Sequence, residues 1–229
     1  MNKVKLKKYI DKHMARVPEI KKYCDRCLAT MRYNGNVSLM VVDAAFTSIG
    51  LNYFNSVVPK VLKFYQKFKI ESLKDLIQVN VDEARKIWKN RRSWNVIFNV
   101  AKYLLKLMED FKLNEREALR FWAKNASIEK WKGDPVGSIK GIGINTFQYL
   151  RMMGGIDTVM PDKIVKKVIN KILIESDCDA VWNDLLFIKK VHEIAKITGY
   201  RAIDICWMTW LVQYNDEKIR KYSKILEII

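Results

Sequence analysis

Ile139-Lys-Gly-Ile-Gly-Ile-Asn-Thr146, followed by Met160-Pro-Asp-Lys-Ile-Val-Lys-Lys-Val168, is the stretch on which the reading of this chain turns. Two glycines separated by Ile142 stand between an apolar residue and a helix-like run. Glycine is needed where a backbone takes positive φ or approaches a ligand closely. The segment therefore predicts a tight hairpin whose N–H groups point outward, with the following helix N-terminus adding positive potential. Ile139 and Ile142 would anchor the turn, and Lys140 brings a mobile charge to it. Asp162 then stands at the head of an amphipathic helix. Each half also has an ordinary explanation: a tight helix–helix connection, and an N-cap.

Charge gives the hairpin a target. The 229 residues carry 42 Lys+Arg against 25 Asp+Glu, a formal net charge of +17. At a pI near 9.7 such a chain attracts polyanions. Hydrophobic residues make up 49% and aromatics 11%, which excludes a disordered basic tail. No helix combines a solid Lys/Arg face with a lipid-inserting face, so nucleic acid is preferred over a membrane surface. The longest uncharged stretch, Ala44–Pro59, falls short of the roughly 20 apolar residues that span a bilayer. Met1–Met14 is Lys-rich without an apolar core, so no secretory signal and an intracellular location are expected. Cys24-Asp-Arg-Cys27 has metal or redox spacing, but no second pair lies near it, and His13 and His192 are distant. Neither a metal nor a cofactor is expected; ordinary thiols or a local disulfide are the alternatives.

With only 9 Gly and 4 Pro, and apolar residues recurring at helical spacing, the chain reads as all helical. Helices are predicted over Val37–Asn52, Val57–Phe68, Glu71–Val79, Val81–Trp88, Trp94–Phe111 and Asn114–Lys124. Lys89–Ser93 is a basic break and Ala126–Ser138 a loop feeding the hairpin. Asn145–Met153 follows as a helix closed by Gly154-Gly155. The remaining helices are Lys163–Ile174, Ala180–Thr198, Arg201–Gln213 and Asp216–Ile229. Trp88 and Trp94 flank the basic break. Arg91 and Arg92 are candidates for phosphate contacts, and Trp94 for reaching a base. Trp207 and Trp210 sit at core spacing.

The hairpin and the segment after it resemble the helix-hairpin-helix DNA glycosylases of the endonuclease III superfamily. That family shows a Gly-x-Gly hairpin with a Thr just after it, then an Asp opening a helix, an apolar residue three later, and a basic-Val pair. Gly141, Gly143, Thr146, Asp162, Val165 and Lys167-Val168 match. A looser, collinear resemblance covers roughly residues 40–175. It implies an all-α fold of two helical lobes with an interlobe active-site cleft. One lobe would be residues 36–154, ending in the hairpin. The other would join 1–35 to 155–229 and carry Asp162. The implied partner is double-stranded DNA with a damaged or mismatched base, bound by a monomer. The implied reaction flips the base out and cleaves its N-glycosidic bond, with Asp162 stabilising the oxocarbenium-like transition state. Lys140, Gly141, Ile142, Gly143 and Thr146 would form the phosphate-binding hairpin.

Departures from the family pattern refine these implications. Members that also cut the strand carry a Lys two residues after the second hairpin glycine. Here that residue is Asn145, which cannot form a Schiff base, so a monofunctional glycosylase using water is expected. A displaced amine, Lys140 or Lys163, gives a glycosylase/lyase as one alternative. A non-catalytic DNA-binding helix-hairpin-helix protein is the other. The cluster-holding cysteines of many relatives are missing from the C-terminal region. Pro161 precedes the aspartate where many relatives have Val; the alkylbase-removing branch also shows a Pro in this neighbourhood, which points toward that branch. The wedge glutamine expected near residues 50–52 is replaced by Leu51, Asn52 and Tyr53, of which Asn52 and Tyr53 are candidates for DNA contact.

Overall fold

A computed structural model describes residues 2–229, and it is all-α: thirteen α-helices and no strand among the described residues. The chain divides into two compact units, Cys27–Ile156 and the pair Met1–Arg26 with Asp157–Ile229.

The continuous unit is built around α3 (Val37–Thr47), in which every residue from Val37 to Phe46 is buried, Ser38 and Asp43 included. Packed against or near it are α4 (Val58–Phe68), α5 (Leu73–Ile77), α6 (Val81–Arg85), α7 (Arg91–Phe111), α8 (Glu115–Asn125) and α9 (Ile144–Met153). Polar side chains open these helices. Asn36, Asn80 and Asn90 accept first-turn N–H groups. Ser72 with Asp75, and Asn114 with Glu117, form capping boxes. The helix expected over Val37–Asn52 stops at Thr47. Gly50 takes φ +74°, and the chain re-enters helix through a single π-turn at Tyr53–Val57, capped by the Asn52 side chain. The basic break is shorter than expected, because Asn90 caps α7 and draws Arg91–Ser93 into its first turn.

An ion pair lies fully buried in this unit. The Asp43 carboxylate oxygen Oδ2 lies 2.9 Å from the Arg32 guanidinium. The same oxygen accepts hydroxyl bonds from Tyr33 at 3.0 Å, Tyr53 at 2.9 Å and Tyr149 at 3.0 Å. Arg32 in turn donates to the hydroxyls of Tyr53, at 2.5 Å, and Tyr149. Burial pushes the three phenols above their ordinary pKa, so they remain proton donors.

The discontinuous unit has the same plan. Its axis is α12 (Ala202–Val212), buried at every position. Around it stand α1 (Lys3–Met14), α10 (Lys163–Glu175), α11 (Asp184–Thr198) and α13 (Asp216–Ile228), and α2 (Ile20–Leu28) contains the first boundary between the units. Tyr23 meets Trp207 edge-on at 4.7 Å.

A buried charge left without its partner is strongly penalised, whereas a matched apolar pair is not. Arg32→Ala and Asp43→Ala are each expected to lower stability by about 3–5 kcal/mol. The double replacement Arg32→Met/Asp43→Leu should recover only part of that loss in urea unfolding, because it also takes the Asp43 acceptor from the buried hydroxyls of Tyr33, Tyr53 and Tyr149.

Candidate functional site

The hairpin forms where the two glycines stand. Val136 to Ile139 make a short turn, and the Ile142 N–H closes the hairpin by donating to the Ile139 carbonyl at 2.9 Å. Gly141 sits at φ +113°. A Cβ on it would lie 2.8 Å from Arg92 Cγ and 2.9 Å from Val96 Cγ2, so both backbone angle and space require glycine. Ile142 is buried and anchors the turn, while Lys140 is exposed. The arm ahead of the hairpin is a single helical turn, closed by Ser138 N–H donating to the Asp134 carbonyl at 2.8 Å. The Asp134 side chain caps it from below, accepting from Val136 and Gly137 N–H. The arm behind it is α9, whose N-cap is Gly143, so no side chain covers its first N–H groups. Such an end favours an anion.

Helix α7 braces this hairpin. Arg92 donates from Nε and from a terminal nitrogen to the Gly141 carbonyl, at 3.0 and 2.8 Å. Asn95 donates to the Lys140 carbonyl at 2.7 Å. Arg91, Arg92, Asn95, Lys140 and Gly141 line one shallow basic depression. Arg92, expected from sequence as a phosphate contact, spends most of its guanidinium on the hairpin carbonyl; Arg91 is exposed. Asn95 was missed, since asparagine on a polar helix face carries no signal in sequence.

Several candidate residues lie inside the core. Trp94 is 2% exposed; its indole N–H bonds the Trp88 carbonyl at 2.8 Å and its ring packs on Phe46 and Phe64. It shares the inward stripe of α7 with Ile97, Ala101 and Leu104, which is why it cannot reach a base. Tyr53 is likewise 2% exposed, taken into the Asp43 cluster rather than offered to DNA. Thr146 is buried in the first turn of α9. Asn52 is spent capping the π-turn, accepting from Asn55 N–H at 2.9 Å. Leu51 beside it is 49% exposed at the loop tip. Among the described residues, the buried side-chain oxygen of Asn145 has no hydrogen-bond partner.

Asp162 lies in the other unit. One carboxylate oxygen accepts the N–H groups of Ile164 and Val165 at 2.7 and 2.9 Å, capping α10. The other accepts the Trp210 indole N–H at 2.9 Å. Burial raises the pKa of Asp162; these three N–H donors and the charge of Lys166 act in the opposite direction. Trp210, read from sequence as core, therefore also fixes the orientation of the carboxylate.

Among the described residues no group of three or more His, Cys, Asp or Glu is placed to hold a metal ion, and no helix is long and apolar enough to cross a membrane. Cys24 and Cys27 are both buried. Comparison with protein-family models, curated proteins and solved structures finds no match to this chain.

Gly141→Ala should cost roughly 1–3 kcal/mol through the disallowed backbone angle, and should speed hydrogen exchange at Ile142. The raised pKa of Asp162 means its contribution to stability is present below the ordinary carboxylate value and lost as pH rises through the raised one. Asp162→Asn should flatten that segment of the pH–stability curve, measured by thermal melting.

Proposed function

We propose that this chain is a monofunctional DNA glycosylase of the helix-hairpin-helix type, removing a damaged or mismatched base from duplex DNA. The observation that carries the reading is the order of two features. A glycine hairpin with an uncapped helix N-terminus and a basic depression comes first. A carboxylate immobilised by three N–H donors at the head of a lysine-rich helix follows. In this reading the two compact units are the two lobes of that family, the hairpin belonging to one and Asp162 to the other.

The hairpin N–H groups and Lys140 take a backbone phosphate, with Arg91 adjacent. The exposed Leu51 at its loop tip is the apolar side chain suited to fill the stack that the extruded base leaves. Asp162 opposes the positive charge that develops on the sugar as the N-glycosidic bond breaks. Water is the nucleophile. Asn145, at the position of the family amine, has no basic nitrogen to attack C1′ of the sugar.

A second reading has its own support. Both oxygens of Asp162 are already engaged, by the cap and by Trp210. That arrangement suits a structural role in a DNA-binding protein without catalysis.

A panel of duplexes carrying uracil, 8-oxoguanine, alkylated purines and mismatches separates the two. The glycosylase reading expects base release from at least one member and no borohydride-trapped adduct. Asp162→Asn should cut that release by roughly a hundredfold or more. It should keep DNA affinity within a few-fold, because the amide oxygen still caps α10. Release that survives Asp162→Asn unchanged sinks the catalytic assignment. No release from any duplex, with DNA binding intact, favours the binder.

A further inference from the structure

Trp182 is 67% exposed, the most exposed aromatic among the large hydrophobic side chains at the surface. Its loop, residues 176–183, is nonetheless firmly held. The Asn170 side chain, itself buried, clasps both backbone groups of Val181: its amide donates to the carbonyl at 3.1 Å and its oxygen accepts the N–H at 2.9 Å. Lys166 donates to the Trp182 carbonyl at 2.7 Å and pairs with Asp184. Two polar side chains of α10 are thus spent on fixing a loop that presents a bare indole to solvent. An exposed tryptophan gains nothing for folding, and a fixed one loses little entropy when something stacks on it.

The charge beside this indole selects the partner. Lys163, Lys166, Lys167 and Asn170 recur at helical spacing along one face of α10, with Lys171 and Ile174 continuing it. Lys163 and Lys167 are exposed and form no ion pair among the described residues. Two of the acids near the loop are occupied, Asp184 by Lys166 and Asp177 by Lys5 at 2.7 Å, while Asp179 is exposed and forms no ion pair among the described residues. Glu175 lies 3.9 Å from Lys171. Lys166 reaches the Trp182 carbonyl from this helix face, and cations combined with a fixed aromatic are how sequence-tolerant binding of unpaired nucleic acid is built.

We propose that the α10 face and Trp182 form a second nucleic-acid contact, in which Lys163 and Lys167 follow the phosphates and Trp182 stacks on an unpaired base. The inference rests on the nucleic-acid reading above but not on base release. Its test is fluorescence anisotropy with three labelled oligonucleotides: an intact duplex, the same duplex with one bulged thymine, and a single strand. Trp182→Ala should weaken binding to the bulged and single-stranded probes by about tenfold, the scale of one base–aromatic stack. The intact duplex should change far less, and Trp182→Phe should restore most of the loss. Lys163→Ala and Lys167→Ala should each reduce the slope of log affinity against log salt by about one. Unchanged affinity of Trp182→Ala for the unpaired probes overturns the proposal, as does an equal loss on all three. If base release still depends on Asp162 in that case, the glycosylase reading stands and only this surface falls. A parent protein that binds none of the probes removes both.

Discussion

The continuous unit is organised by one carboxylate oxygen. Asp43 Oδ2 receives the Arg32 guanidinium and three tyrosine hydroxyls in a site closed to water. Asp43 stands in α3, and its partners come from three other places in the chain: the turn before α3, the π-turn after it, and α9. None of these groups tolerates burial alone, so each is placed by the others. The segment leading to α3 is bent to reach the cluster. Tyr33 and Asn34 take left-handed backbone at φ 50° and 55°, and Gly35 follows at φ 84°. Two consecutive non-glycine residues in that region cost of order 1–2 kcal/mol each, which the bonds of Arg32 and Tyr33 to the cluster and the burial of the Tyr33 ring offset. The π-turn has a related origin, since Tyr53 at its head must deliver its hydroxyl to the same oxygen.

In both units one apolar helix is enclosed by amphipathic ones, and in both the enclosed helix carries an acid near its start or middle. Asp204 in α12 accepts a guanidinium bond from Arg201 at 2.9 Å, and Arg201 also pairs with Asp25. This pairing lies closer to the surface than the Arg32–Asp43 pair, with Arg201 30% exposed on its side chain against 0% for Arg32. The deeper of the two pairs is the one held by additional hydroxyls, as the desolvation of a fully buried pair requires.

Much of this architecture was legible in the residues. Helical periodicity locates the helices from α3 onward, because amphipathic faces and Asn, Ser and Asp caps are local signals; α1 and α2 are not among the expected helices. The hairpin was legible because Gly141 has no substitute at its backbone angle. Asp162 was legible as a cap, since the bond from its oxygen to the third residue on is local too. What could not be read is what depends on packing across many residues of chain. Nothing in sequence pairs Arg32 with Asp43 or indicates that Tyr33, Tyr53 and Tyr149 converge on one oxygen. Trp94 reads as a nucleic-acid contact because an aromatic beside basic residues suits both a binding surface and a core, and Tyr53 because it lies near the wedge position that the resemblance implies. Only their rotation about the helix axis decides, and it turns them inward. Trp210 reaching Asp162 across 48 residues of chain is equally invisible to local pattern.

The bonds from Arg92 and Asn95 to the carbonyls of Gly141 and Lys140 bear on association as well as on shape. They lie on the acceptor side of the hairpin and leave the donor side open. An anion arriving there meets N–H groups already ordered during folding, so little conformational freedom is lost on contact. The same arrangement removes Arg92 from the pool of mobile cations. Under the proposed nucleic-acid reading, long-range attraction would be left to the exposed lysines and to Arg91, dividing the labour: mobile charges would govern the rate of encounter, and the braced hairpin how long the encounter lasts.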